Sequence, residues 1–157
     1  MGVTVKVTGG KKYQAFLDKM AQIAGGVKAG IFGGATNTDT GASIAAYAVY
    51  NEYGTKHIPP RPFMRTVAKE KPKSWCGVMV ARVRGNAQDP KAWKDALGLA
   101  GEQMKADIQD SIMNGSWAPN APATIAAKAR KGKTEPNKPL FDTGDMYHAV
   151  SYEVVDK

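Results

Sequence analysis

The amino-acid sequence predicts an α+β protein in which a small antiparallel or mixed sheet is packed with several helices. Apolar residues alternate or run together in three strand-like segments, at 3–7, 27–32 and 149–155. Much of the chain between them carries the helical spacing of apolar residues, and the longest predicted helix covers about residues 90–113. A chain of 157 residues suits one domain with a sizeable core, so we expect a single domain over 1–157.

The first 24 residues predict one strand and one helix. Valines alternate with Thr4 and Lys6 over 3–7, which is the period of a half-buried strand. Residues 11–24 then predict a helix that Gly25-Gly26 ends, and its apolar face contains Phe16, Leu17, Met20 and Ile23.

A strand, a loop and a helix are predicted next. The apolar run at 27–32 leads into residues 33–41 (GGATNTDTG), which are turn formers or small polar residues and indicate an exposed, flexible loop. Residues 42–53 predict a helix that ends at Gly54, and one face of it contains Ile44, Tyr47, Ala48 and Val49.

The middle of the chain predicts two helices after a stiff segment. Residues 58–62 (IPPRP) contain three prolines, which remove backbone donors and hold the residues before them extended, so this segment is not helical. Helical character resumes over 63–71, and Pro72 opens a further helix to about residue 84, with an apolar stripe of Trp75, Met79 and Val83. Cys76 lies among apolar neighbours, where we expect a buried, inert thiol.

The strongest helix signal covers residues 90–113. Asp89 is a good N-cap, Pro90 suits the first helical turn, and Asn114-Gly115 ends the helix. A single apolar stripe runs along it and consists of Trp93, Leu97, Ala100, Met104, Ile108 and Ile112. The remaining chain predicts a short helix over 122–130, a basic linker over 131–138 and the final strand.

The charge of the chain is strongly positive. Lys and Arg number 22 against 14 acidic residues, which gives a net charge of +8 and a pI near 9.6. Such a surplus favours anionic partners such as nucleic acid, although a basic surface that binds nothing accounts for it equally well. The densest runs, at 69–73 and 128–133, are short and lack the interleaved aromatics of a single-strand stacking platform.

One triplet matches enzyme chemistry. Asp142-Thr143-Gly144 follows apolar residues, as the catalytic triplet of aspartic proteases does. A proton-sharing carboxylate pair needs a second, symmetry-related Asp or a homodimer that supplies one. Only 13 residues follow Gly144, too few for the flap and the supporting strands of the dimeric enzymes. We therefore expect a structural turn in which Asp142 or Thr143 caps a short helix and Gly144 takes a special backbone conformation.

Other enzyme, metal and membrane signals are weak. His57 and His148 have no His or Cys partner at metal-ligand spacing, and neither a nucleotide-binding glycine fingerprint nor a GxSxG elbow occurs. No apolar run has the length of a membrane span or of a signal-peptide core. We expect no catalytic residue, metal, cofactor or membrane partner, and a protein made in the cytoplasm.

Two segments resemble a known family. Residues 45–67 (AAYAVYNEYGTKHIPPRPFMRTV) match a pattern of an aromatic-rich helix, E-(Y/F)-G-T, and IPxRPF(M/L)R. Residues 140–155 (LFDTGDMYHAVSYEVV), together with 122–125 and the basic linker, match P-x-T-(I/L)-x-x-K followed by K-P-L-(I/W/F)-D-T-G. In this order the motifs resemble the tail-completion and head–tail joining proteins of tailed phages, including the lambda minor tail protein Z.

The resemblance implies a non-enzymatic virion protein made in the host cytoplasm. It would form a homo-oligomeric ring, a hexamer by expectation, in the neck or at the top of the tail. Its partners would be copies of itself and neighbouring head-closure, tail-terminator or tail-tube proteins, with non-specific DNA contact in the lumen. The alternatives are a sequence-independent DNA-binding protein and an aspartic-type protease.

The same resemblance and the residue types indicate where subunits would meet. Tyr47, Tyr50 and Tyr53 surround one helix, and large aromatics are enriched at interfaces. The proline segment is stiff, so ordering it in an assembly costs little entropy, although it equally well only redirects the chain. Arg61 there suits bidentate pairing with a neighbour's carboxylate. The expected interface comprises Tyr50, Tyr53, His57, Ile58, Pro59, Pro60, Arg61, Pro62 and Phe63.

Overall fold

The computed structural model describes Gly10 and residues 25–156. In this part of the chain two strands and six helices form an α+β fold. In chain order they are β1 (Gly25–Ile31), α1 (Ile44–Tyr53), α2 (Phe63–Glu70), α3 (Pro72–Val83), α4 (Pro90–Asn114), α5 (Pro122–Arg130), α6 (Asp145–His148) and β2 (Val150–Asp156). The strand expected at 3–7 and the helix expected at 11–24 lie outside the described residues.

The sheet consists of β1 and β2, which pair antiparallel along their whole length. Its inner face packs on α4, where Val150 is buried and the ring of Tyr152 lies so close to Gly101 that a Cβ there would overlap it. On the outer face the cross-strand neighbours Lys28 and Glu153 form an ion pair at 3.7 Å. For these two strands the prediction of a small antiparallel sheet is confirmed.

The long helix α4 contacts both strands and the helices α2, α3 and α6. It begins as the sequence predicts, because the side chain of Asp89 accepts a hydrogen bond from the backbone N–H of Lys91 at 2.9 Å. Its buried row consists mainly of small residues, namely Ala92, Ala96, Ala100, Gly101, Ile108 and Ile112. Since small side chains allow close approach, α3 packs directly against the first half of α4. Of the predicted stripe, Ala100, Ile108 and Ile112 are buried, whereas Trp93, Leu97 and Met104 are only half-buried.

The main core is centred on Phe63, the first residue of α2, which is fully buried. Around it lie buried residues from α1, α2, α4, α6 and β2, namely Ile44, Ala48, Val67, Ile108, Ile112, Met146 and Val150. Full burial of a phenylalanine side chain contributes about 1.5–3 kcal/mol. The core therefore holds α1 by one side and leaves its opposite side on the surface.

Two sequence expectations about burial are wrong. Val49, predicted on the same helix face as Ile44 and Ala48, is 49% exposed, because the buried row continues from those two residues to Glu52. The thiol of Cys76 is exposed rather than buried. The preceding residue, Trp75, packs against the main core, and one further residue turns a helical side chain by about 100°.

The loop at 33–41 is exposed, as predicted, and folds as a hydrogen-bonded turn. The side-chain oxygen of Asn37 accepts hydrogen bonds from the backbone N–H groups of Asp39 and Thr40, at 3.1 and 2.9 Å. The carboxylate of Asp145 accepts from the amide of Asn37 and from the backbone N–H of Thr38, both at 2.9 Å. These contacts attach the loop to the start of α6; its flexibility stays a prediction.

Candidate functional site

The outer side of α1 carries exposed apolar side chains. We call Val49, Tyr50 and Tyr53, which are 49%, 52% and 62% exposed, the aromatic face. The guanidinium of Arg65 lies 4.4 Å from the ring centre of Tyr53, a cation–π contact that orients this ring. Large apolar side chains exposed together on one helix are typical of a surface that another molecule covers. Tyr50 and Tyr53, which the sequence predicts for an interface, are thus exposed.

Beneath the aromatic face, the carboxylate of Glu52 is buried, with 2% of the residue exposed. It accepts hydrogen bonds from the backbone N–H groups of Met64 and Arg65 at 2.9 and 3.0 Å, and from Nε of Arg65 at 2.9 Å. Pro62, which precedes α2, makes no side-chain capping bond, so Glu52 supplies the acceptor at that helix end. This contact clamps the end of α1 to the start of α2.

The segment between these helices, residues 54–62, is a compact loop, which we call the proline loop. The backbone N–H of Thr55 donates to the carbonyl oxygen of Ile58 at 2.8 Å, and the Thr55 hydroxyl accepts from the backbone N–H of His57 at 3.2 Å. Gly54 has φ +78°, and a Cβ on it would lie 2.9 Å from the nitrogen of Pro60. Only glycine suits this tight entry. Of the predicted interface residues here, His57, Pro59 and Pro60 are exposed, while Ile58 and Pro62 are half-buried.

Two predicted interface residues are corrected by the structure. Arg61 is only 5% exposed, and its guanidinium donates to the carbonyl oxygens of Ala118 and Pro119 at 2.7 and 2.9 Å and to Oδ1 of Asn51 at 2.8 Å. Burial also lowers the pKa of this guanidinium. Arg61 therefore holds the chain's own loops instead of facing a neighbour's carboxylate. Phe63 is buried at the centre of the core and is likewise not a surface residue.

A second buried cation, Lys128 on α5, performs the same role for the C-terminal motif. Its ammonium group donates to the carbonyl oxygens of Lys138 and Phe141 at 3.0 and 2.6 Å, and the residue is 8% exposed. Burial lowers the pKa of Lys128, the nearby charge of Asp142 raises it, and the charge of Arg61 lowers it. Sequence reasoning counted Lys128 within a basic run and as the lysine of P-x-T-(I/L)-x-x-K, and neither pattern predicted its burial.

The Asp-Thr-Gly turn at 142–144 leads into α6. Gly144 has φ +87° and precedes the first helical residue, so its predicted special conformation is confirmed. The Thr143 hydroxyl accepts from the backbone N–H of Asp145 at 3.4 Å, whereas Asp142 is exposed. The backbone amide of Thr38 lowers the pKa of Asp145, whose carboxylate attaches the 33–41 loop.

Sequence reasoning missed a second Asp-Thr-Gly triplet, at 39–41, because it lies inside a loop of small polar residues. The fold brings both triplets to one cleft of about 290 Å³. A protease-type pair needs two carboxylates that share a proton at about 3 Å. Here Oδ2 of Asp39 lies 3.4 Å from Nζ of Lys131, and Asp142 acts on the charge of Lys128. Asp39 is thus held by a cation of its own, an arrangement that disfavours sharing a proton with Asp142.

Two further features of the described residues concern metal binding and membrane insertion. Within 25–156 no group of three His, Cys, Asp or Glu side chains is placed to hold a metal ion, and His57 and His148 are both exposed. No helix in this part of the chain is long and apolar enough to span a bilayer.

Comparisons of the chain with family models, with curated proteins and with solved structures find no match. The resemblance to phage tail-completion proteins therefore depends on the residues of its two motifs.

Proposed function

We propose that this chain is a structural protein of a tailed-phage virion, a tail-completion or head–tail joining component. In this proposal it closes into a homo-oligomeric ring, a hexamer, in the neck or at the top of the tail. Its neighbours there are head-closure, tail-terminator or tail-tube proteins, and its role is mechanical, without a catalytic residue or a cofactor.

The observation that carries the proposal is the aromatic face beside the proline loop. Of the six exposed large apolar side chains in the described residues, three lie on α1. The neighbouring loop is already held by its own hydrogen bonds and by the clamps of Glu52 and Arg61. A surface ordered before binding loses little conformational entropy when a partner covers it. Together these properties favour a permanent subunit interface on this side of the molecule.

The positions of the motif residues give independent support. Glu52, Arg61 and Lys128, which belong to the two motifs, are the buried charged residues of the described chain. Arg61 connects the first motif to the carbonyl groups of 118–119, just before the second motif begins. Motif residues with structural roles of this kind are what the proposal of a shared fold requires. The resemblance is thus supported by motif residues that stabilise the fold of this chain through hydrogen bonds.

A closed ring built by head-to-tail contacts needs two different surfaces on each subunit. The aromatic face supplies one. The other exposed apolar side chains include Val80 on α3 and Leu99 on α4, which are 55% and 47% exposed and lie on the helix pair α3–α4. We propose that this pair of residues, the second patch, receives the aromatic face of the neighbouring subunit.

Sedimentation of mixed variants tests this arrangement. Tyr50→Asp with Tyr53→Asp removes the aromatic face, and Val80→Asp with Leu99→Asp removes the second patch. We expect the wild type to sediment as a ring and each variant alone as a monomer. An equal mixture of the two variants should give heterodimers and nothing larger, because only one intact pair of surfaces remains.

The matched control is Ala126→Asp with Ala129→Asp, which adds the same charge at exposed positions of α5 and should still form rings. A wild type that stays monomeric at every concentration contradicts the proposed self-assembly. Rings formed by either variant alone would show that these surfaces are not the interfaces.

A further inference from the structure

The junction of α2 and α3 carries three exposed lysines, Lys69, Lys71 and Lys73, which we call the basic corner. Lys71 is the single residue between the two helices, so the chain turns at the centre of this group. The Cα atoms of Lys69 and Lys73 lie at most about 14 Å apart, so the three lysines extend from one short segment of the surface. Glu70 is the one acidic residue among residues 69–73.

Structural roles do not account for these lysines. In the described residues none of the three takes part in an ion pair or a side-chain hydrogen bond, unlike Lys28, Lys91, Lys131 and Lys138. The positive charge of Lys69 lies in the last turn of α2, where it interacts favourably with the helix dipole. Lys73, however, lies in the first turn of α3, which has no acidic residue, and a cation there opposes the helix dipole. The corner therefore concentrates charge, and at Lys73 this charge lowers helix stability.

The chemistry of the corner suits a phosphate backbone. Lysine ammonium groups are flexible point charges that bind phosphates without selecting a base. The nearest aromatic in sequence, Trp75, is half-buried, and its indole N–H donates to Asp107 on α4 at 2.7 Å, so it is not free to stack on a base. Charge without a stacking platform favours double-stranded over single-stranded nucleic acid.

We propose that the basic corner binds the phosphate backbone of duplex DNA without reading its sequence. The inference rests on the proposed function in one respect only, namely that DNA would pass through a ring of these subunits. The binding itself is a property of the isolated chain and is testable there.

Fluorescence anisotropy with a short duplex, measured over a series of salt concentrations, tests the proposal. The corner variant carries Lys69→Gln, Lys71→Gln and Lys73→Gln. Each phosphate contact adds about 0.9 to the slope of log K against log salt, so we expect a slope shallower by about 2.7. Between about 50 and about 200 mM salt, the wild type should then lose about 40-fold more affinity than the variant.

The control variant removes the same charge from three exposed, dispersed positions, with Arg84→Gln, Lys94→Gln and Arg130→Gln. Its slope should stay close to that of the wild type. Absence of duplex binding at low salt, or an equal change of slope in the control variant, overturns the proposal. Equal competition by polyglutamate overturns it as well and points to an acidic protein partner.

Sedimentation and DNA binding of the wild type together separate this inference from the proposed function. Rings without DNA binding in the wild type would overturn the DNA contact alone. DNA binding by a wild type that forms no ring would overturn the proposed function alone.

Discussion

Arg61 and Asn51 are joined twice. Nη1 of Arg61 donates to Oδ1 of Asn51 at 2.8 Å, and the backbone N–H of Arg61 donates to the carbonyl oxygen of Asn51 at 2.6 Å. The amide of Asn51 in turn donates to the carbonyl oxygen of Tyr47 at 2.9 Å. The proline loop is thereby fixed to the helix that carries the aromatic face, and the guanidinium extends this connection to residues 118–119.

Replacing Arg61 should therefore destabilise the whole domain. Arg61→Leu leaves two carbonyl oxygens and the Asn51 side chain without their donor, and we expect a loss of about 2–5 kcal/mol in the free energy of unfolding. Urea unfolding measures it. The control, Arg130→Leu, changes an exposed residue and should stay within about 0.5 kcal/mol of the wild type. Equal stability of the two variants would contradict the clamp.

Two glycines of α4 form a matched pair for testing the sheet contact. A Cβ at Gly101 would overlap the ring of Tyr152, so Gly101→Ala should cost about 1–3 kcal/mol through overpacking. At Gly98 a Cβ meets no atom within 4 Å, so Gly98→Ala should stabilise the helix by up to about 1 kcal/mol. Thermal unfolding compares the two. A stabilising Gly101→Ala would mean that the sheet does not pack on α4 as described.

The loop at 33–41 should respond to acid through Asp145. Because its pKa is lowered in the folded state, mainly by the backbone amide of Thr38, the ionised carboxylate stabilises the fold. This contribution is complete above the unfolded pKa, near 3.8, and is lost as the pH falls through the lower folded value. Urea midpoints of the wild type and Asp145→Asn from about pH 6 to about pH 2 measure it. We expect the difference in urea midpoint between the two proteins to shrink as the pH falls below about 3.8. A difference that stays constant would contradict this role of Asp145.

The two Asp-Thr-Gly triplets should have no proteolytic activity. Since Asp39 is paired with Lys131 rather than with Asp142, we expect the wild type to leave an unfolded casein substrate intact at acidic and neutral pH. The variant Asp39→Asn with Asp142→Asn should assemble like the wild type. Cleavage by the wild type that this double variant abolishes would support the aspartic protease instead.

Most elements of the described fold could be predicted because their signals are local. Asp89 and Pro90 mark the start of α4, Gly54 ends α1, and the alternation of apolar and polar residues identifies β2. Burial was predicted less well. On α4 the predicted stripe is right at Ala100, Ile108 and Ile112, but close packing against α3 and the sheet selects alanine and glycine at most other buried positions.

The candidate site could be predicted only in part, for a related reason. Tyr50, Tyr53, His57, Pro59 and Pro60 are exposed beside one another in sequence, as an interface requires. The roles of Glu52, Arg61 and Lys128 depend on carbonyl and N–H groups far along the chain or across a turn, up to 58 residues away for Arg61. No local pattern distinguishes a buried charged residue of this kind from an exposed one.

We propose that this chain is a ring-forming structural protein of a tailed-phage virion. Cryo-electron microscopy of the purified virion tests it most directly. We predict density for a closed ring of this chain at the head–tail junction or the top of the tail, with the aromatic face and the proline loop between neighbouring subunits. A neck and tail in which every density is assigned to other proteins would contradict the account.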